Sequence, residues 1–175
     1  MATNILPPHL VPREIDLKAS LCVADCITKG VKKIHRSMRY EGVKFFSRSS
    51  TAGYVMPNKH NVVYLNLELY KRNPERFINE IIPHEVAHLF AHKLSPKDRA
   101  HGITRQKVMQ KVFNLEPVRC HDMETTGIGR TTKKFLYICN CGKHTLGTAR
   151  HNKIKKGVKY TCRTCKKELV LLRSL

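Results

Sequence analysis

The sequence predicts an α+β chain in two parts, a larger domain carrying a metal-binding helix and a small, basic, cysteine-bearing module behind it. Three observations lead there. Apolar stripes at helical spacing alternate with short runs rich in Val, Phe and Tyr through the first 124 residues. His84-Glu85-Val86-Ala87-His88 stands in the middle of one of the helical stretches. Four of the seven cysteines, Cys139, Cys141, Cys162 and Cys165, fall in the last third of the chain. With 175 residues and 41% hydrophobic content, the chain can bury one core and carry an appendage. The layout read from these features is a domain over 1–124, a linker over 125–134 and a module over 135–175.

Arg13 to about His35 reads as the first helix, with Ile15, Ala19, Cys22, Cys26, Ile27 and Ile34 on one stripe. Cys22 and Cys26, one turn apart, are small core residues in this reading, and Cys120 stands alone. Gly42 to Phe46 and Asn61 to Asn66 read as strands, separated by a turn around Met56-Pro57-Asn58-Lys59. Asn73 is the predicted N-cap of a second helix, with Pro74 at its first position, running to about His92. Pro83 lies inside that helix, removes one hydrogen bond and is expected to kink it. Ser95 to Ala100 reads as a loop, and Ile103 to Phe113 returns to helical spacing. Thr125 to Thr132, rich in Thr and Gly, is the linker. Phe135 to Ile138, Val158 to Thr161 and Leu169 to Leu172 close the chain as short strands.

Charge and composition narrow the classes. The chain has 33 Lys+Arg against 13 Asp+Glu, a net charge of +20. Residues 125–175 hold 13 of the basic residues and a single acid, Glu168. So dense a positive field favours a polyanion, most commonly nucleic acid, as partner. No apolar run approaches the ~20 residues that span a bilayer, and no basic amphipathic helix marks a membrane surface. The opening residues lack the basic-then-apolar pattern of a secretory signal, so a cytoplasmic protein with reduced or metal-bound cysteines is expected. No Gly-rich loop of the phosphate-cradling kind signals a nucleotide cofactor.

Two constellations carry chemistry. In the first, His84 and His88 lie four apart on one helix face, about 6 Å along the axis, so both imidazoles converge on one ion. Glu85 beside them can take a proton from a metal-bound water. Chance gives such a motif about 0.03 times in a chain of this composition, so it is read as a site. A catalytic zinc wants three protein ligands and a water. His92 lies about 12 Å from His84 along the axis, out of reach of the same ion. The third ligand therefore follows the helix: His101 is the first candidate, and His121 and Glu116 are later ones. In the second, Cys139, Cys141 and His144 form one knuckle and Cys162 with Cys165 the other, each after an aromatic-bearing strand. Four of these five residues would close a structural zinc site and let a segment almost without core fold. Spacing leaves Cys141 and His144 as alternatives for one place.

With both constellations in view, the sequence resembles the SprT family of metallopeptidases, to which the animal protease Spartan belongs. The resemblance runs over nearly the whole chain. It rests on Thr51-Ala52-Gly53 ahead of a strand, Ile82-Pro83-His84-Glu85-Val86-Ala87-His88-Leu89, His101-Gly102 and Met109. The closing ribbon from Cys139 to Cys165, with Arg150-His151-Asn152 between its knuckles, is most similar to bacterial members. The resemblance implies a zincin-like metallopeptidase domain followed by a small C-terminal zinc ribbon. It implies zinc on His84, His88 and His101 with Glu85 as catalytic acid/base and, for animal members, DNA-stimulated cleavage of proteins trapped on DNA. One position departs: family members often carry an aromatic four residues past the His-Gly histidine, where this chain has Arg105.

The expectation is a zinc endopeptidase with one catalytic and one structural zinc, acting on protein near single-stranded or damaged DNA in a bacterial-type cytoplasm. The strand Asn61 to Asn66 is expected to form the edge on which substrate docks, with His121 as the residue to test for an oxyanion role. Lys153, Lys155, Lys156, Lys159, Arg163, Lys166 and Lys167 are expected to meet phosphates, with Tyr137 and Tyr160 either stacking on bases or serving as core. The alternative is a non-proteolytic, zinc-stabilised DNA- or RNA-binding protein, which has no use for Glu85.

Overall fold

The computed structural model describes residues 4–57, 59–119, 121–128 and 133–174. Asn58, Cys120 and residues 129–132 of the predicted linker lie outside them. The chain divides into two compact units, Met1–Gly129 and Arg130–Leu175, each with its own hydrophobic cluster.

In the first unit, α1 (Arg13–Ile34) buries Ala19, Cys26 and Ile27 of its predicted stripe and, beside them, Val23. Cys22, half-buried, points its thiol at the Ile78 carbonyl. A four-stranded sheet follows, built from β1 (Asn4–Ile5), β2 (Val43–Ser47), β3 (Gly53–Met56) and β4 (His60–Asn66) in the order β1-β2-β4-β3. This corrects the expected edge. β4 pairs parallel with β2 and antiparallel with β3, so it is an interior strand, and β3 is the edge. Burial explains the placement: Val62 to Asn66 are all buried, with Val63 and Leu65 facing the helices and Val62 and Tyr64 the opposite side. A strand apolar on both faces belongs in the middle of a sheet.

Asn66 ends β4 and starts α2 (Leu67–Arg72). Its side-chain oxygen caps the Glu68 and Leu69 amides while its Nδ2 donates to the Ser49 and Thr51 carbonyls. Asn73 takes the predicted N-cap position ahead of Pro74, but its side chain makes no capping hydrogen bond. Asn73 turns back, its Nδ2 donating to the Leu69 carbonyl and closing α2. After the short turn α3 (Pro74–Arg76), Phe77–Ile81 is π-helical and leads directly into α4 (Ile82–Leu94). The widened turn accounts for Pro83. A proline lacks the N–H for an i→i−4 bond and its ring crowds the carbonyl four residues back, and a π turn opens the ladder there. α5 (Ile103–Val108) runs into a second π-helical segment, Met109–Phe113. Met123 and Ile128 pack into this first core, so the unit extends beyond the expected boundary at 124 into the expected linker.

The second unit is a three-stranded sheet, β5 (Lys134–Cys139), β6 (Gly142–Gly147) and β7 (Val170–Ser174), in the order β6-β5-β7, with α6 (Thr148–Lys155) after β6. The strand expected over Val158 to Thr161 is reduced to one isolated bridge, Thr161 to Glu168. Tyr137 is core: it is 1% exposed and its hydroxyl lies 2.9 Å from His151 Nδ1, which removes it as a stacking platform for bases. No described helix is long and apolar enough to cross a membrane.

Candidate metal centres and active-site cleft

α4 projects His84 and His88 from one face, and the loop after it returns His101 to them. One ring nitrogen from each of the three lies within 4.8 Å of the others. His84 Nε2 and His88 Nε2 are 3.2 Å apart. Of the three candidates for a third place, the structure brings His101 in and leaves Glu116 and His121 outside the group. The return loop is fixed by Asp98. Its carboxylate accepts from the Arg99 amide at 2.7 Å and from the Thr104 amide at 3.0 Å, capping α5. A Cβ at position 102 would collide with that carboxylate, which gives Gly102 its purpose beside His101.

Burial sets the protonation of the rings. Desolvation pulls His84 down to about 4 and His88 down to about 3, and Arg105 adds to both. His101 is lowered in the same way. At neutral pH all three are uncharged, with lone pairs to give a cation. The donor set therefore fits a divalent transition metal, and the site is chemically ready to take one.

Glu85 is 7% exposed, packs against β3 and joins the three histidines in lining a cleft of about 760 Å³. Burial pushes its carboxyl up to about 8, opposed by the positive charge of Arg105. Gly53 on β3 makes room for it, since a Cβ there would stand 3.0 Å from Glu85 Cγ and 3.2 Å from its Oε1. The edge strand β3 (Gly53, Tyr54 and Val55) lines the same cleft, as do His92, Arg119 and His121. His121 is tethered through Nε2 to the Ser50 carbonyl at 3.2 Å, and its Nδ1 is buried with no partner among the described residues.

Arg105 is the residue whose importance the spacing hid. At 1% exposed, it reaches Nη1 to within 3.3 Å of His84 Nδ1 and donates Nη2 to the Pro117 carbonyl at 3.1 Å. The hint in the sequence was the departure at this position, four residues past His101, where an aromatic is the more usual residue and this chain buries a guanidinium.

The second unit gathers Cys139, Cys141, Cys162 and Cys165, with their sulfurs within 4.8 Å of one another. His144 stands beside the set, its Nε2 3.1 Å from Cys139 Sγ. The backbone amides of Cys165 and Thr164 point at Cys162 and pull its thiol down to about 5, and the Lys167 amide lowers Cys165. Amides aimed at sulfur favour thiolates at Cys162 and Cys165, while hydrogen bonds to the neighbouring sulfurs push the Cys141 thiol up to about 12. It is the convergence of the four sulfurs that fits a tetrahedral site. Around them Lys153, Lys155, Lys156, Lys159, Arg163, Lys166 and Lys167 are all exposed. Lys159 makes an ion pair of 3.7 Å with Glu168, the acid of this segment. A second cavity, about 520 Å³, is lined by His144, Arg150, Tyr160 and Arg163.

Comparison with known proteins identifies the family. The SprT-like family model matches residues 24–121. Protein SprT of Pseudomonas paraeruginosa is 35% identical over 169 residues, 94% of this chain and 95% of the relative. Protein SprT of Vibrio parahaemolyticus is 34% identical over 159 residues, covering 89% and 93%. That of Pasteurella multocida is 30% identical over 167, covering 95% and 99%. No solved structure matches the chain. The family model spans the HExxH helix and the His101 loop, and the relatives extend the match through the four-cysteine unit. The chain belongs to the SprT family.

Proposed function

We propose that the chain is a zinc-dependent endopeptidase with a zincin-like catalytic unit, acting on proteins at or near DNA. The observation that carries this reading is Glu85. It lines the cleft beside three convergent imidazoles without being one of the group. A purely structural metal needs no free carboxylate at that place. Zinc on His84, His88 and His101 supplies Lewis acidity and lowers the pKa of a bound water.

The residues of the chain do the rest. Neutral His84, His88 and His101 present lone pairs without a proton having to leave first. Glu85 takes the proton from the attacking water and returns it to the leaving amine. The added positive charge of a divalent cation favours its carboxylate form, against the burial that raises it in the metal-free chain. Substrate docks along β3 by adding a strand to the sheet. The Asn66 amide donates to the Ala52 carbonyl at 2.8 Å, and Tyr54 pairs with Tyr64 two residues on. In an antiparallel pair that alternation leaves the N–H groups of Gly53 and Val55 facing outward, free to receive an extended peptide. A His121 ring that donates to Ser50 offers no N–H to an oxyanion while neutral, so its part here is to hold the rim.

The four-cysteine unit, held by a structural zinc, presents its lysines and arginines to nucleic acid, with Tyr160 at the mouth of the second cavity as the stacking residue. The test is protein cleavage by the wild-type chain and Glu85→Gln, with and without single-stranded DNA, at matched zinc content. Cleavage by wild type alone, faster with DNA, is expected. No cleavage by either chain, with zinc and DNA both bound, would replace this reading with that of a non-proteolytic binding protein.

A further inference from the structure

The positive charge of the first unit is gathered in one place. Residues 26–40, 86–94 and 106–115 hold eight Lys and Arg and no acid, while the rest of residues 1–124 balances twelve against twelve. Two lysines bring these three segments together. Lys33, in the last turn of α1, donates its Nζ to the carbonyls of Lys111 and Val112 at 3.1 and 3.3 Å. Lys93, in the last turn of α4, donates to the carbonyl of Ser37 just past α1. The ends of α1 and α4 and the π-helical segment after α5 therefore share one corner.

Local structure accounts for part of this charge and leaves the larger part. A cation at a helix C-terminus satisfies orphan carbonyls and favours the macrodipole, and Lys33 and Lys93 are spent in that way. Lys29 is paired with Asp25, one turn back, at 2.6 Å. Lys32, Arg36, Arg39, Lys107 and Lys111 are exposed, and their side chains make no ion pair or hydrogen bond among the described residues. These like charges repel one another, and no acid of the three segments opposes them. A counter-charge from outside the chain would remove that repulsion.

We propose that this corner is a second phosphate-binding surface, on the first unit itself, where nucleic acid meets Lys32, Arg36, Arg39, Lys107 and Lys111. Long flexible cations outside any shaped pocket suit a phosphate backbone, which positions a protein without being read for sequence. A membrane suits it less. Leu94 is the one exposed large apolar side chain in the three segments, against the continuous apolar face that a membrane-bound helix needs. The first unit then stays on nucleic acid by its own contacts, not only through the chain that joins it to the four-cysteine unit. This rests on the nucleic-acid part of the proposed function and not on the peptidase part.

The experiment is binding of the full chain to a labelled single-stranded DNA, read by fluorescence anisotropy across a salt series. Wild type is compared with a corner variant (Lys32→Ser, Arg36→Ser and Arg39→Ser together) and a second-unit variant (Lys155→Ser, Lys156→Ser and Arg163→Ser together). Each phosphate contact on a single strand contributes about 0.7 to the slope of log affinity against log salt. The corner variant is expected to lose about 2 from that slope and to bind at least about tenfold more weakly near 0.1 M salt. An unchanged slope in a folded corner variant overturns the proposal, and a loss confined to the second-unit variant then leaves the nucleic-acid reading standing. A wild type whose affinity ignores salt overturns the corner and that reading together. Binding to phosphatidylserine vesicles that the corner variant loses, at an unchanged DNA slope, gives the surface to a membrane and overturns the proposal. Should the corner variant not fold, acetylation of wild-type lysines located by mass spectrometry decides. DNA is expected to protect Lys32, Lys107 and Lys111, and equal acetylation with and without DNA overturns the proposal.

Discussion

At the residue scale, the buried titratable groups of α4 pull the metal-free chain in opposite directions with pH. His84 and His88 have folded pKa values of about 4 and about 3, below the unfolded value of about 6.5. Their contribution is present above that unfolded value and is lost as pH falls toward the folded ones. Glu85, at about 8, lies above its unfolded range, so its contribution is present at low pH and is lost as pH rises through about 8. Glu85→Gln removes only the second loss. In thermal melts of metal-free protein, the stability advantage of Glu85→Gln over wild type is expected to widen between about pH 5 and pH 8, by at most a few kcal/mol. A gap that stays constant across that range would show that burial does not hold the carboxyl protonated. The convergence of the histidine trio was legible at this scale because i, i+4 spacing on a helix is a geometric statement, and His101 followed as the first histidine past the turn. Arg105 was not. Charge marks a residue as surface by default, and only the packing of α5 shows that this guanidinium is buried.

At the element scale, long periodic segments were readable and short polar ones were not. α1 has its predicted ends to within a residue or so, because 22 residues carry one continuous stripe. β6 and α6 were missed because Gly142 to Lys155 is polar and each element buries one side chain, Leu146 and His151. α2 was missed because Asn66, which caps it, lies inside what reads as a strand. The more consequential error was the sheet order. Sequence neighbours were in view, whereas edge and centre are decided by which strand has two apolar faces. With β3 as the edge, the test of docking moves to Val55. Proline is tolerated on an edge where the lost N–H faces outward. Val55→Pro is therefore expected to keep the melting temperature within a few degrees while cutting peptide cleavage on the order of tenfold or more. Undiminished turnover in a folded variant would remove β3 as the docking strand.

At the scale of the whole molecule, the charge asymmetry and the division into units coincide. The unit with the four cysteines carries the excess of Lys and Arg and a small apolar core, so a metal on its four sulfurs would add much of its stability. If the seven exposed basic residues all meet phosphates, affinity for a short single strand falls on the order of 10³-fold between about 50 and 200 mM salt. A flat salt response measured by fluorescence anisotropy would contradict that surface assignment. The division was legible from composition, because cysteines and lysines crowd the same third of the chain. Its boundary was not, since Ile128 sits in a run of Thr and Gly and is nonetheless claimed by the first core.

The π-helical segment before α4 also fixes a rotational phase. An α-helix advances about 100° per residue, and a π turn inserts one residue without advancing the helix behind it by a full step. Asn79 and Glu80, both exposed within Phe77–Ile81, are the residues this segment can spare without touching the core. Removing either would let the segment wind as plain α-helix with His84, Glu85 and His88 left facing the cleft, whereas winding it as α-helix with every residue kept would swing all three by about that angle, away from His101 and β3. The widened turn thus works as an index mark: it buries neither Asn79 nor Glu80, yet by absorbing one residue it keeps the histidine-bearing face of the next helix on the cleft.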